Sequence, residues 1–352
     1  VTELLQPIHQ VVNLPPDRLP TASCWEKLSP HWPSPADRET GQWEAKVKLF
    51  HYLAKAWGAV SDDSYRALCS DLRLFFQWCR ARELLALPAR PGTIVAFIED
   101  QAEIKAKASV RRYMASISKA HQYAGVANPL RHEDVVLAFD RLYKSDTSEP
   151  EQAAGLRWEH IRTALLAMGD RPIDIRDRAL ILVAYDCMLR CSEVPRLTLD
   201  GLSDGTQGYK LRVIRSKRRA KQGVIKYKFI DETTAHAVYR WCDMAGIDKG
   251  TIFRGVASDG TVLDAPLSKQ GVNRAVQRVA KAAGLDPRDY SGQSCRIGAC
   301  QDMAADGIDL GKIMLAGDWE RPEMPAYYAR KLAPDKGAMA DLAKRQNRQA
   351  II

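Results

Sequence analysis

The chain has 352 residues and a formal net charge of +9, which suits two domains with separate cores and favours a polyanionic partner. It has no run of about 18 apolar residues and no basic-then-apolar leader pattern, so a cytoplasmic protein without a membrane span is expected. Eight cysteines with no Cys-x-x-Cys pair are too few for a disulfide framework. Cys187 and Cys191, four apart on an expected helix, read as core residues rather than zinc ligands, since no His or third Cys lies near them. Neither glycine-rich phosphate loop is present, so no nucleotide cofactor is expected.

Residues 1–40 carry six prolines from Pro15 to Pro35 without a sustained period and read as a mobile arm. From Gly41, Trp43, Val47, Phe50, Ala54 and Trp57 recur at three and four, the apolar stripe of a helix. Ser61 caps a second helix through Tyr65, Leu72, Phe75 and Cys79, with Arg66, Arg73 and Arg80 on or near its polar side. After Leu87-Pro88 a third helix runs from Thr93 to about Lys105. Ser109 then caps a fourth, with Tyr113, Met114 and Ile117 inward and Arg111, Arg112 and Lys119 outward. Helix starts rich in arginine suit phosphates, although such a basic face is often only solvated. A helical domain over 41–127 is therefore expected, followed by a linker at 128–131, because Asn128-Pro129 stops a helix.

The second domain, 132–352, opens with helical segments near 133–144, 158–168 and 174–190. The last is almost wholly apolar and must be central. It ends in Leu189-Arg190-Cys191-Ser192-Glu193, and an arginine there is either functional or paired with Glu193, because an unpaired buried charge is costly. Residues 209–230 read as a β-hairpin whose tip, Arg215-Ser216-Lys217-Arg218-Arg219-Ala220-Lys221, is basic. A helix follows over about Thr233 to Ala245. Another starts at Ser268 with Lys269, Gln270, Asn273 and Arg274 on its first turns, amide side chains of the kind that pair with adenine edges in a major groove.

The stretch from Ser291 to Leu332 holds the densest chemistry. Arg296 opens a helix, Trp319 follows a tight turn at Gly317-Asp318, and Tyr327-Tyr328 lie on the next helix. Two phosphate ligands and a nucleophile could meet there.

Ser-Gly-Gln-Ser-Cys-Arg-Ile-Gly-Ala at 291–299, Gln301-Asp302-Met303-Ala304, Ala316-Gly317-Asp318-Trp319 and Lys336-Gly337-Ala338-Met339 resemble the tyrosine site-specific recombinases. Leu189-Arg190 with Glu193 is similar to the Leu-Arg-x-x-Glu motif of that family, and 64–125 resembles its core-binding domain. The resemblance implies a mainly α fold with a small antiparallel β-sheet, arranged as a two-domain C-shaped DNA clamp. It implies a DNA-cleaving and rejoining enzyme without cofactor or metal, acting on double-stranded DNA with inverted-repeat half-sites as a homotetramer, with a nucleoid association.

It implies further that Tyr328, nine residues after Trp319, is the nucleophile, that Arg190 and Arg296 hold the phosphate and that Glu193 supports the site. By it Trp319 is expected to donate its N–H and Lys217 to protonate the leaving oxygen, with Lys221 as the alternative lysine. On the same resemblance Arg66, Arg111, Arg112, Arg215 and Arg218 are expected to contact DNA, Lys269 and Arg274 its phosphates, and Gln270 and Asn273 its bases. By the same resemblance the final helix around Met339 is expected to dock on a neighbouring subunit. The family pattern has histidine where this chain has Gln293, an amide that donates a hydrogen bond but shuttles no proton near neutral pH. A DNA-binding factor that lost catalysis, and an integrase or telomere resolvase with the same chemistry, are the other readings.

Overall fold

A computed structural model describes residues 28–34, 36–57, 59–144, 152–215, 224–330 and 338–346. They fall into two units, Val1–Glu149 and Pro150–Ile352. In the first, α1 (Trp43–Ala56), α2 (Asp62–Ala81), α3 (Pro91–Ile104), α4 (Lys107–Ala124) and α5 (Glu133–Lys144) enclose one core. Phe97 of α3 is its hub, with Phe75 at 5.1 Å, Trp78 at 5.2 Å and Tyr113 at 6.2 Å between ring centroids. Each buried aromatic of this kind contributes roughly 1.5–3 kcal/mol of transfer free energy.

Helix ends follow local chemistry. The Ser61 hydroxyl accepts from Ser64 N–H at the start of α2, a cap typically worth ~1 kcal/mol. Pro91 occupies the first position of α3, where its missing N–H costs nothing. Gly125 closes α4 in the left-handed conformation at φ +69°. α4 begins at Lys107, before the cap expected at Ser109.

Two expectations about this unit change. Val135 and Ala138 of α5 are buried in the first core, so the unit continues past 128–131 and ends at Glu149. Asn128-Pro129 does stop a helix, but the apolar face that follows still needs the first core for cover. The arm expected over 1–40 is also partly folded. Leu28 is 1 % exposed within the core, His31 lies against Phe76 at 5.6 Å, and Asp37 pairs with Lys46 of α1 at 2.5 Å. Residues 1–27 lie outside the described residues.

The second unit is organised on α7 (Pro172–Asp186), packed by α6 (Trp158–Ala167), α8 (Glu232–Ala245), α9 (Lys269–Ala282) and α10 (Ser294–Ala305). α7 stops at Asp186, short of the expected 190, because Met188 turns left-handed at φ +49°. Arg190 and Cys191 therefore lie in a turn beyond the helix. Strands β1 (Leu202–Asp204), β2 (Tyr209–Arg215) and β3 (Val224–Ile230) form an antiparallel sheet in that order, and β4 (Arg254–Val256) pairs with β5 (Val262–Pro266). α11 (Leu310–Gly317), α12 (Glu323–Ala329) and α13 (Ala338–Arg345) follow. The fold is thus mainly α with small antiparallel sheets. Among the described residues no helix is long and apolar enough to cross a membrane.

Asp302 ties α10 to its neighbours. Its carboxylate pairs with Arg157 at 2.6 Å, accepts from Trp158 N–H at the start of α6 at 2.7 Å, and accepts from the Tyr185 hydroxyl of α7 at 2.6 Å. Gly298 lets α10 approach the 155–157 segment, since a Cβ there would sit 2.1 Å from the Leu156 carbonyl oxygen. α10 is therefore fixed in place before its side chains do anything else.

Candidate active site

The early end of α7 presents Arg190 at the surface of the second unit. Glu193, with its side chain 6 % exposed, accepts from Arg190 N–H at 2.9 Å and from its Nη1 at 3.0 Å, while the arginine side chain stays 40 % exposed. A buried carboxylate that grips both backbone and guanidinium fixes the arginine's direction.

Arg296, in the first turn of α10, is 2 % exposed. Its Nη1 donates to the Met188 carbonyl and its Nη2 to the Gly317 carbonyl, both at 2.6 Å. The first bond uses the left-handed turn after α7, and the second uses the end of α11. The guanidinium lies under the Trp319 ring, 4.2 Å from the centroid. On the same indole, Tyr328 stands edge-on with centroids 5.8 Å apart. Gly317 makes this turn possible, because a Cβ there would fall 2.1 Å from the indole.

Tyr328 is carried on α12, whose backbone is held from α10: Gln301 Nε2 donates to the Tyr328 carbonyl at 3.1 Å. Burial raises the phenol above its ordinary range, and it outweighs the opposing fields of Arg296 and Arg190. The phenol is therefore protonated near neutral pH. Tyr327 turns elsewhere and has the Arg330 guanidinium over its ring at 4.1 Å.

A cavity of about 430 Å³ is lined by Arg190, Glu193, Arg196, Lys226, Asp318 and Trp319 among others. Arg190 and Trp319 line this cavity, whereas Arg296 and Tyr328 do not line it and contact the Trp319 indole. Gln293 stands at the N-cap of α10, one turn before Arg296, with its N–H bonded to the Ser291 hydroxyl. Lys217, Lys221 and Arg218 lie outside the described residues, as do Lys336 and Gly337. Arg215 ends β2 opposite Val224.

The other expected contacts are distributed as follows. Lys269, Gln270 and Arg274 are exposed on the first turns of α9, which Ser268 caps. Asn273 is already engaged, its Oδ1 accepting from Gly292 N–H at 2.8 Å. In the first unit Arg111 is exposed. Arg66 is tied to Asp63 at 3.1 Å, and Arg112 pairs with the buried Asp71 at 3.0 Å. Exposed Met339 and Leu342 lie on α13. Among the described residues no group of three or more His, Cys, Asp or Glu side chains is gathered to hold a metal.

The sequence model of the phage integrase family matches residues 155–334, which spans all four elements of this site. The chain belongs to the phage integrase family. It is a tyrosine recombinase, of a family of enzymes that cleave and rejoin DNA. Similar curated proteins are the recombinase cre of Escherichia phage P1, 26 % identical over 304 residues (81 % of this chain, 88 % of the relative), and the integrase/recombinase xerD homolog of Selenomonas ruminantium. The latter is 27 % identical over 263 residues, covering 72 % and 77 %.

Solved structures agree in fold. The XerH site-specific recombinase bound to palindromic difH has a TM-score of 0.61 at 12 % identity, covering 97 % of this chain and 93 % of that one. A lambda integrase dimer bound to a COC' core site has 0.54 at 16 %, covering 80 % and 93 %.

The fold of this phage integrase family member also gathers residues that sequence reasoning did not single out. Arg196 and Lys226 line the cavity, and Lys228 is buried beside Asp318. The alternating lysines of β3 were visible in the sequence, but which face they take was not.

Proposed function

We propose that the protein is a Cre-like site-specific recombinase that cuts DNA through a 3′-phosphotyrosyl intermediate at Tyr328. The contact of Arg296 and Tyr328 with one indole, beside a cavity faced by Arg190, carries this reading. The Tyr328 oxygen forms a bond to the scissile phosphorus as the bond to the 5′ oxygen breaks. Arg190 neutralises a non-bridging oxygen at the cavity, the buried Arg296 adds the field of its positive charge from beneath the indole, and Trp319 donates its N–H. Lys217 protonates the departing 5′ oxygen. The phosphotyrosyl ester retains the bond energy, so rejoining by a 5′ hydroxyl needs no cofactor.

The raised pKa of Tyr328 means that its proton must leave during attack. Gln293 cannot take it, so the proton passes to solvent water, and cleavage slower than in a histidine-bearing relative follows from this reading. That substitution also supports a second reading, a sequence-specific DNA-binding protein with impaired catalysis. On DNA the protein works as a homotetramer on paired sites with inverted half-sites, one protomer per half-site. The exposed first turns of α9 enter the major groove, with Gln270 on bases and Lys269 and Arg274 on phosphate. Arg66, Arg111 and Arg112 of the first unit touch the backbone, and α13 docks on a neighbouring protomer.

The test is covalent capture. Supercoiled DNA carrying the flanking region of the gene is incubated with protein and quenched in detergent. Adducts with the intact chain and with Tyr327→Phe, but none with Tyr328→Phe, support the recombinase. Specific binding without adduct supports the second reading, and an adduct lost only in Tyr327→Phe overturns the choice of nucleophile.

A further inference from the structure

Strand β3 buries an unexpected cation. Alternation puts Lys228 on the face that carries Ile230 into the core, and the side chain is 8 % exposed. The other face, Ile225, Tyr227 and Phe229, is left outward. The strand thus turns its more apolar residues to solvent and its lysine inward, an arrangement that hydrophobic burial alone would reverse. Something specific holds the lysine.

Its Nζ lies 2.5 Å from a carboxylate oxygen of Asp318 and 2.5 Å from the Ala316 carbonyl. Asp318 closes α11 at φ 52°, ψ 48°, a left-handed conformation that side-chain-bearing residues adopt rarely and glycine adopts freely. Between these two residues, the Gly317 carbonyl accepts from Arg296. Three successive residues thus give oxygens to two cations from different elements. The next residue in the chain is Trp319.

We propose that Lys228 is a positioning residue whose ion pair with Asp318 holds the 316–318 turn and so fixes Trp319 against Arg296 and Tyr328. The ammonium is engaged inside the protein, in contrast to the exposed Lys226 at the cavity, so Lys228 acts through the turn and not on substrate. A buried ion pair is commonly no more stabilising than an apolar pair of the same volume. Orientation of the turn is the effect that accounts for its presence. This inference rests on reading the site as the DNA-cleaving one.

The experiment compares the full chain with Lys228→Met and with Lys228→Met/Asp318→Gly, using single-turnover adduct formation at saturating DNA alongside separate measurement of DNA Kd. Small misplacements of a reacting constellation cost up to about 100-fold. Lys228→Met is therefore expected to slow cleavage ~10–100-fold with Kd changed less than about threefold. Adding Asp318→Gly restores at least about fivefold, since the stranded carboxylate is gone and glycine takes the left-handed turn unaided.

A substrate with a 5′-bridging sulfur, a leaving group that needs no proton, is expected to show the same deficit; its disappearance would make Lys228 the acid and overturn the proposal. A wild-type cleavage rate in Lys228→Met, or a loss that follows Kd and is not restored by glycine, also overturns it. Should the intact chain form no adduct, the recombinase reading fails separately and hydrogen exchange decides this one. The Asp318 and Trp319 amides, bonded to Leu315 and Met314 carbonyls, then exchange about tenfold faster in Lys228→Met while α7 is unchanged. Unaltered exchange at those amides overturns the inference.

Discussion

The Arg296 guanidinium is stacked beneath the Trp319 indole at 4.2 Å. The indole shields a buried cation on one face and meets the Tyr328 ring at its edge. One side chain thus sets the surroundings of both a phosphate-binding candidate and a nucleophile candidate.

Replacing that indole separates its two contributions. Trp319→Phe keeps an aromatic face over Arg296 but loses the N–H donor, and Trp319→Ala loses both. A lost donor to a developing oxyanion costs ~10²–10³-fold in rate. Single-turnover cleavage is expected to fall about 100-fold in the phenylalanine variant and further in the alanine variant. Thermal stability should fall mainly in the alanine variant, since an aromatic–cation contact contributes roughly 0.5–2 kcal/mol.

Gly317 tests the turn from the opposite side. A methyl group there meets the indole at 2.1 Å, so Trp319 must move. Gly317→Ala is expected to lose about 1–3 kcal/mol by overpacking and to lower adduct formation more than DNA affinity. Chemical unfolding beside a binding titration measures both.

Introducing a titratable group at the start of α10 gives a pH signature. Gln293→His adds a general acid–base side chain one turn before Arg296, and such catalysis contributes typically 10²–10⁴-fold. Cleavage is expected to rise at least about tenfold at pH 7.5. Its pH–rate profile should acquire an inflection near the usual histidine pKa of about 6.5, absent from the glutamine protein.

The first unit carries an acid-sensitive histidine. Burial, then the fields of Lys46, Arg80 and Arg73, push His31 down to about 4. Because its folded pKa lies below the unfolded value of about 6.5, the neutral ring's contribution is complete above pH 6.5. It is lost as pH falls toward 4, a change on the order of 3 kcal/mol. Urea unfolding of the chain across pH 7 to 4 should show a midpoint falling more steeply than in His31→Gln.

Much of this was legible in the chain because the signals are local. The apolar stripes of α1–α4, the Ser61 and Ser268 caps and the hairpin strands need only nearest neighbours in sequence. Arg190 with Glu193 and Arg296 with Trp319 and Tyr328 also fall in short motifs, so the residue types and the family could be read directly. What those residues touch could not.

The end of α7 at Asp186 depends on the left-handed Met188, and Arg296 takes up the Met188 carbonyl from over 100 residues away. Asn273 has the chemistry of a base reader, yet its Oδ1 is engaged by Gly292. α5 follows a proline break but completes the first core. The sequence by itself determined most of the helices, the β2–β3 hairpin, the family and the chemical groups at hand, since these follow from periodicity and short motifs. Tertiary structure decided which face of β3 turns inward and which oxygens Arg296 and Lys228 hold. Both outcomes depend on burying charges beside partners that only long-range packing brings within hydrogen-bonding distance.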